Sequence, residues 1–165
     1  MFELKPIHKD SINQAIEKAH HYRLLNEPAE AESICLDVLE VEPENQQALV
    51  TLVLALSDRL TKGYAIGASQ AKEVLPRIKD EYQRAYYGGL LCERQAKARL
   101  QHGGPGANHD AYEWLREAMR LFEKAEACRP AGNDDSILRW NACARIIMRN
   151  NLSSRTADSA EPYLE

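Results

Sequence analysis

Residues 118–130 read Ala-Met-Arg-Leu-Phe-Glu-Lys-Ala-Glu-Ala-Cys-Arg-Pro. On a helix with its 3.6-residue turn, Ala118, Phe122 and Ala125 share one face. Pro130 follows five residues after Ala125 and ends the helix, because proline lacks an N–H and its ring clashes with the preceding turn. The pattern has a packing sense. Small residues let a neighbouring helix come close, and one large side chain fills the space between them. The same intervals recur at Ala31, Cys35, Val38 and Pro43, and Ala19 and Tyr22 supply a small residue and an aromatic one helix earlier.

The rest of the chain reads as helix. Over residues 11–25, Ile12, Ala15, Ile16, Ala19, Tyr22 and Leu25 recur at threes and fours, with Asp10 or Ser11 as cap. Pro28 suits the first turn of a second helix. A third helix over 45–60 is apolar nearly all round between Ala48 and Leu56, so it is expected to be central. A fourth over 66–78 meets Pro76 near its end, and a fifth covers about 80–101. A sixth opens near residues 108–110, where Asp110 and Glu113 have capping-box spacing. A seventh covers 137–149. No segment alternates as a sheet strand does.

Over residues 11–149 this chain resembles the tetratricopeptide-repeat superfamily, whose unit is a helix pair of about 34 residues. The second unit is partial: Val53 and Leu56 fit its first helix and Ala65 its small position, and Pro76 comes one residue early. The third has Ala85, Gly89 and Cys92, then about 17 residues more than the period allows, so longer helices joined by a loop at 101–108 are expected. The resemblance implies an all-α fold: antiparallel helix pairs stacked as a short right-handed superhelix of about seven helices. Residues 1–10 form an N-terminal extension, 11–150 the repeat domain and 151–165 a flexible tail. Pro162, Tyr163 and Leu164 in that tail form an apolar cluster able to fill a groove.

Repeats of this family are scaffolds whose first helices line a concave groove for a partner's peptide or helix. Counting projects Asn13, Ile16, Glu17, His20 and Leu24 inward from the first unit, with Arg23 nearby. The second contributes Gln47, Val50, Thr51, Leu54 and Asp58, and the third Gln83, Tyr86, Leu90, Glu93 and Arg94. An apolar centre with polar edges suits an amphipathic helix or extended segment. Tyr86 and Tyr87 are adjacent, so one is expected to face solvent or a ligand. One subclass of the family grips chaperone C-termini with lysine, arginine and asparagine. The matching positions here hold Ile16, His20, Thr51, Gln83 and Tyr87, which argues against that activity.

Composition narrows the remaining classes. The chain has 165 residues, 44% hydrophobic and 28% charged, with a net charge of −4. That is ordinary for a globular domain and a poor start for nucleic-acid binding. No apolar run reaches bilayer length, and the N-terminus lacks the order of a signal peptide. Cys35, Cys92, Cys128 and Cys143 have neither metal nor redox spacing and are expected to be reduced core thiols in a cytoplasmic protein. His102 and His109 flank a glycine-rich turn that lacks the ending of a phosphate loop. No nucleophile–base motif stands out, and no cofactor or metal is expected.

The expectation is a non-catalytic interaction scaffold or adaptor. The alternatives are a self-assembling structural component or a small secretion-type chaperone. Charge placement leaves head-to-tail association open. Residues 27–44 hold seven acids and no base, and residues 139–155 hold four arginines and no acid.

Overall fold

Helix starts and stops follow local chemistry. Pro28 opens one helix at its first turn, where a missing N–H costs nothing. Asn45 and Asp80 cap two others, their side-chain oxygens accepting from the Ala48 and Gln83 amides at 2.9 and 2.7 Å. The protein is seen in a computed structural model that describes residues 1–62 and 66–158. Its helices are α1 (Ile12–Leu24), α2 (Pro28–Val41), α3 (Gln46–Leu60), α4 (Ile66–Val74), α5 (Glu81–His102), α6 (Ala107–Ala127), α7 (Asp135–Arg149) and the short α8 (Arg155–Asp158). No strand occurs among the described residues. Ala65 and the Pro162–Tyr163–Leu164 cluster lie outside the described residues.

The fold is all-α, with seven helices longer than one turn among the described residues. α1 packs on α2, α3 on α4, α5 on α6, and α7 on α6. Contacts from α1 to α3 and from α3 to α5 fall at similar sequence offsets, and those from α5 onward are longer. His20–Thr51 and Arg23–Asp58 join α1 to α3 at offsets of 31 and 35. Arg94 reaches Ser57 and Asp58 from α5 at 37 and 36. Tyr82–Asn133 and Glu93–Arg139 link α5 to the region of α7 at 51 and 46. The extra residues of the third pair go into helix length, since α5 has 22 residues and α6 has 21.

The packing residues read from the spacing are core. Ala118, Phe122, Ala125, Ala19, Ala31, Cys35 and Val38 are all fully buried. α3 is central as expected, touching α1, α2, α4 and α5. Two glycines mark where helices approach too closely for a side chain. A Cβ on Gly67 would stand 2.6 Å from the Leu56 carbonyl oxygen, and one on Gly89 would stand 2.7 Å from Phe122 Cε1.

Several local expectations are corrected. Neither Asp10 nor Ser11 caps α1 by its side chain; a 3-10 turn over Lys9–Ser11 leads in, and the His8 ring nitrogen accepts from the Asp10 amide. The fourth helix stops at Val74, and Pro76 lies in a 3-10 turn over Leu75–Arg77. α6 opens earlier than expected, after Gly106 at φ 75°. Asp110 binds arginines instead of capping. Cys128 is exposed at the end of α6, so it is no core thiol. The stretch after residue 150 is not free along its described part. Leu152 is buried, Ser153 O meets His109 Nδ1 at 3.0 Å, and Arg155 binds Asp110 at 2.9 Å.

Candidate functional site

α1, α3 and α5 present one face together. At one end of it lies a cavity of about 510 Å3, lined by Asn13, Ile16, Glu17, His20, Gln46, Gln47, Val50, Thr51 and Gln83. Eight projected groove residues therefore meet there: Asn13, Ile16, Glu17, His20, Gln47, Val50, Thr51 and Gln83. Ile16 is a buried base, as is Thr51. The Thr51 hydroxyl donates to the Gln47 carbonyl at 2.7 Å, as threonine in a helix commonly does. Its proton is thus committed, and the His20 Nε2 at 3.4 Å faces the hydroxyl's lone pairs. The walls are rich in carboxamides, which donate and accept at once. The floor is apolar.

At the other end the same face is closed by ion pairs. Asp58 of α3 receives Arg23 of α1 at 2.7 Å and also binds Arg94 of α5. Arg94 donates besides to Ser57 Oγ at 2.7 Å and to the Leu54 carbonyl at 3.4 Å. Asp58 and Arg94, expected as groove residues, are structural ties between first helices, and Leu54 lies half-buried beneath them. Arg23 was read only as a neighbour, yet it completes this network.

The α5 positions depart furthest from the projection. Leu90 is 5% exposed and belongs to the core. Glu93 is 1% exposed, paired with Lys97 and, at 3.3 Å, with Arg139. Its Oε2 has no hydrogen-bond partner among the described residues. Tyr86 is half-buried in an aromatic group, 5.7 Å from Tyr82, 5.3 Å from Tyr87 and 5.8 Å from Phe122 between ring centroids. Tyr87 is half-buried too, so neither tyrosine is given over wholly to solvent. Burial pushes the Tyr87 phenol up, with Tyr86 adding to it. Helical counting gives the side of α5. It does not give the cover that α6 and α7 supply.

The glycine-rich turn is a helix connection. Gly103, Gly104 and Gly106 all have positive φ, which glycine adopts without steric cost. Arg99 holds the turn, donating to the Gly103 carbonyl at 2.5 Å and the Pro105 carbonyl at 2.9 Å. His109 Nδ1 meets the Ser153 carbonyl oxygen at 3.0 Å. No group of three or more His, Cys, Asp or Glu able to hold a metal is present among the described residues. No described helix is long and apolar enough to cross a membrane.

A second, larger cavity of about 940 Å3 lies on the α2–α4 side. Counting from first helices alone passed over it. Its rim draws on the acidic run over 27–44, with Leu36 exposed beside it. Compared with protein-family models, curated proteins and solved structures, the chain matches none.

Proposed function

We propose that this chain is a non-catalytic scaffold of tetratricopeptide-repeat type that binds a partner's peptide on the α1–α3–α5 face. One observation carries the reading. Residues from three successive first helices, counted out at the repeat interval, line a single cavity. The similar offsets from α1 to α3 and from α3 to α5 support a repeated helix pair. The cavity chemistry supports an extended peptide over a small metabolite. Asn13, Gln47 and Gln83 offer paired donors and acceptors of the kind a peptide backbone needs, and Val50 offers an apolar seat for a side chain. The Thr51 hydroxyl donates to the Gln47 backbone carbonyl at 2.7 Å, the usual back-bond of a helical threonine.

The test is selection of binders from a displayed random-peptide library on the purified chain. Selected peptides should share a motif and lose affinity at least about tenfold, or 1.4 kcal/mol, on a His20→Ala/Gln47→Ala/Gln83→Ala variant. Binding that ignores those three changes contradicts the proposal.

A further inference from the structure

The cavity between α2 and α4 has an apolar floor and an acidic rim. Leu39, Leu52, Leu56 and Val74 form its base, each 8% exposed or less, and Leu36 stands at its lip at 51%. Asp37 and Glu40 of α2 and Glu73 of α4 line the rim. None of these three has an ion-pair partner among the described residues. Glu32 on the same rim is engaged by Arg59. Arg77 is held by the Pro43 carbonyl at 2.6 Å. Residues 3–6 run along one wall and stay exposed, so they do not fill the space.

At the far end of the fold, α7 carries the opposite surface. Its inner side buries Ser136 and Cys143. Its outer side exposes Leu138 at 63% and Met148 at 66%, together with Arg145 and Arg149. These positions fall on one stripe of a helix. Arg145 and Arg149 have no ion-pair partner among the described residues, and no acid lies between Arg139 and Arg155. α7 packs on α5 and α6, whereas α2 packs on α1 and α3. The two surfaces thus meet only between copies.

We propose that the outer stripe of α7 in one copy seats in the α2–α4 groove of a second. Leu138 and Met148 cover the apolar floor, and Arg145 and Arg149 meet Asp37, Glu40 and Glu73. The contact is heterologous: each copy keeps a free groove at one end and a free stripe at the other. It therefore builds rings or open chains instead of a closed two-fold dimer. The α1–α3–α5 cavity takes no part and stays open to a peptide.

Sedimentation of the full chain from micromolar to millimolar concentration tests this. The weight-average mass should rise past that of a dimer, and the rise should weaken with added salt, since charge carries part of the contact. Two double variants at positions outside the buried core sharpen the test. Asp37→Arg/Glu40→Arg and Arg145→Glu/Arg149→Glu should each sediment as monomers with unchanged helical circular dichroism. Mixed together they should associate again, because each groove then meets a stripe of opposite charge. A parent chain that stays monomeric throughout overturns the proposal. So does association that survives either double variant. Binding of an arginine-rich amphipathic helical peptide in the groove of a chain that stays monomeric assigns the groove to another protein, and that also overturns it.

Discussion

Arg23 and Asp58 stand 35 residues apart in sequence and 2.7 Å apart in space. The same carboxylate binds Arg94, so one side chain of α3 ties α1 to α5. All three side chains are about one-fifth exposed, and hydrogen bonds to charged groups in such settings contribute about 1.5–3 kcal/mol. Asp58→Ala leaves two guanidiniums facing each other. It should lower urea stability by about 1–3 kcal/mol, with Asp58→Asn in between. A change below about 0.5 kcal/mol, the scale of an ordinary exposed pair, would mean that the network does not hold the first helices together.

Gly88 and Gly89 are neighbours with opposite expectations. A Cβ at Gly89 runs into the Phe122 ring at 2.7–3.0 Å, and that ring is fully buried. Gly89→Ala should therefore destabilise by about 1–3 kcal/mol in spite of alanine's better helix propensity. At Gly88 the nearest atoms are Leu121 Cδ1 at 3.5 Å and Leu75 Cδ1 at 3.9 Å, ordinary contacts. Gly88→Ala should stabilise by about 0.5–1 kcal/mol. Thermal melts of the two variants decide it, and equal shifts would contradict the α5–α6 packing.

That packing shows how far the sequence could be read. Ala118, Phe122 and Ala125 were legible because a helix face follows from spacing alone, and all three are fully buried. Pro28 was legible as a first-turn residue, and helix starts near residues 45 and 80 were legible too, although the capping bonds of Asn45 and Asp80 come from the structure. The cavity residues of α1 and α3 were legible because one end of each helix stays open. Leu90 and Glu93 were not: both are buried, and Glu93 pairs with Arg139 of α7, 46 residues away in sequence. Cys128 sits in an alanine-rich stretch that reads as core, yet it falls at the helix end and is exposed. Asp110 has the spacing of a cap but was drawn away by Arg99 and Arg155, which lie 11 and 45 residues from it.

The thiols give a pH dependence. Burial raises Cys35 and Cys143 to about 12 and Cys92 to about 11, from an ordinary value of 9.0. At pH 8 only Cys128 should react quickly with a thiol reagent, and all four should react once the chain is unfolded. Above pH 9 the unfolded chain loses these protons while the folded chain keeps them, so stability should fall as pH rises from about 9 towards 11. Rapid labelling of two or more thiols in the folded chain contradicts this burial.

Asp110 clasps the end of the described chain. The Arg99 hydrogen bond first, then the Arg155 charge, hold its carboxyl below the ordinary range. The clasp is therefore present above the unfolded carboxyl pKa and is lost only as pH falls through the lowered folded value. Asp110→Asn should speed amide hydrogen exchange at Leu152, whose N–H donates to the Ile147 carbonyl at 3.0 Å, and leave α1–α4 unchanged. Unchanged exchange at Leu152 would show that the clasp does not hold this segment.

Peptide binding on the α1–α3–α5 face is the central proposal. The most direct measurement is amide chemical-shift mapping of the labelled chain titrated with a library-selected peptide. Shifts should group on Asn13–His20, the Gln46–Thr51 turns and the start of α5 around Gln83, where the residues lining the 510 Å3 cavity lie. Shifts grouped on α2 and α4, with those residues unmoved, would contradict it.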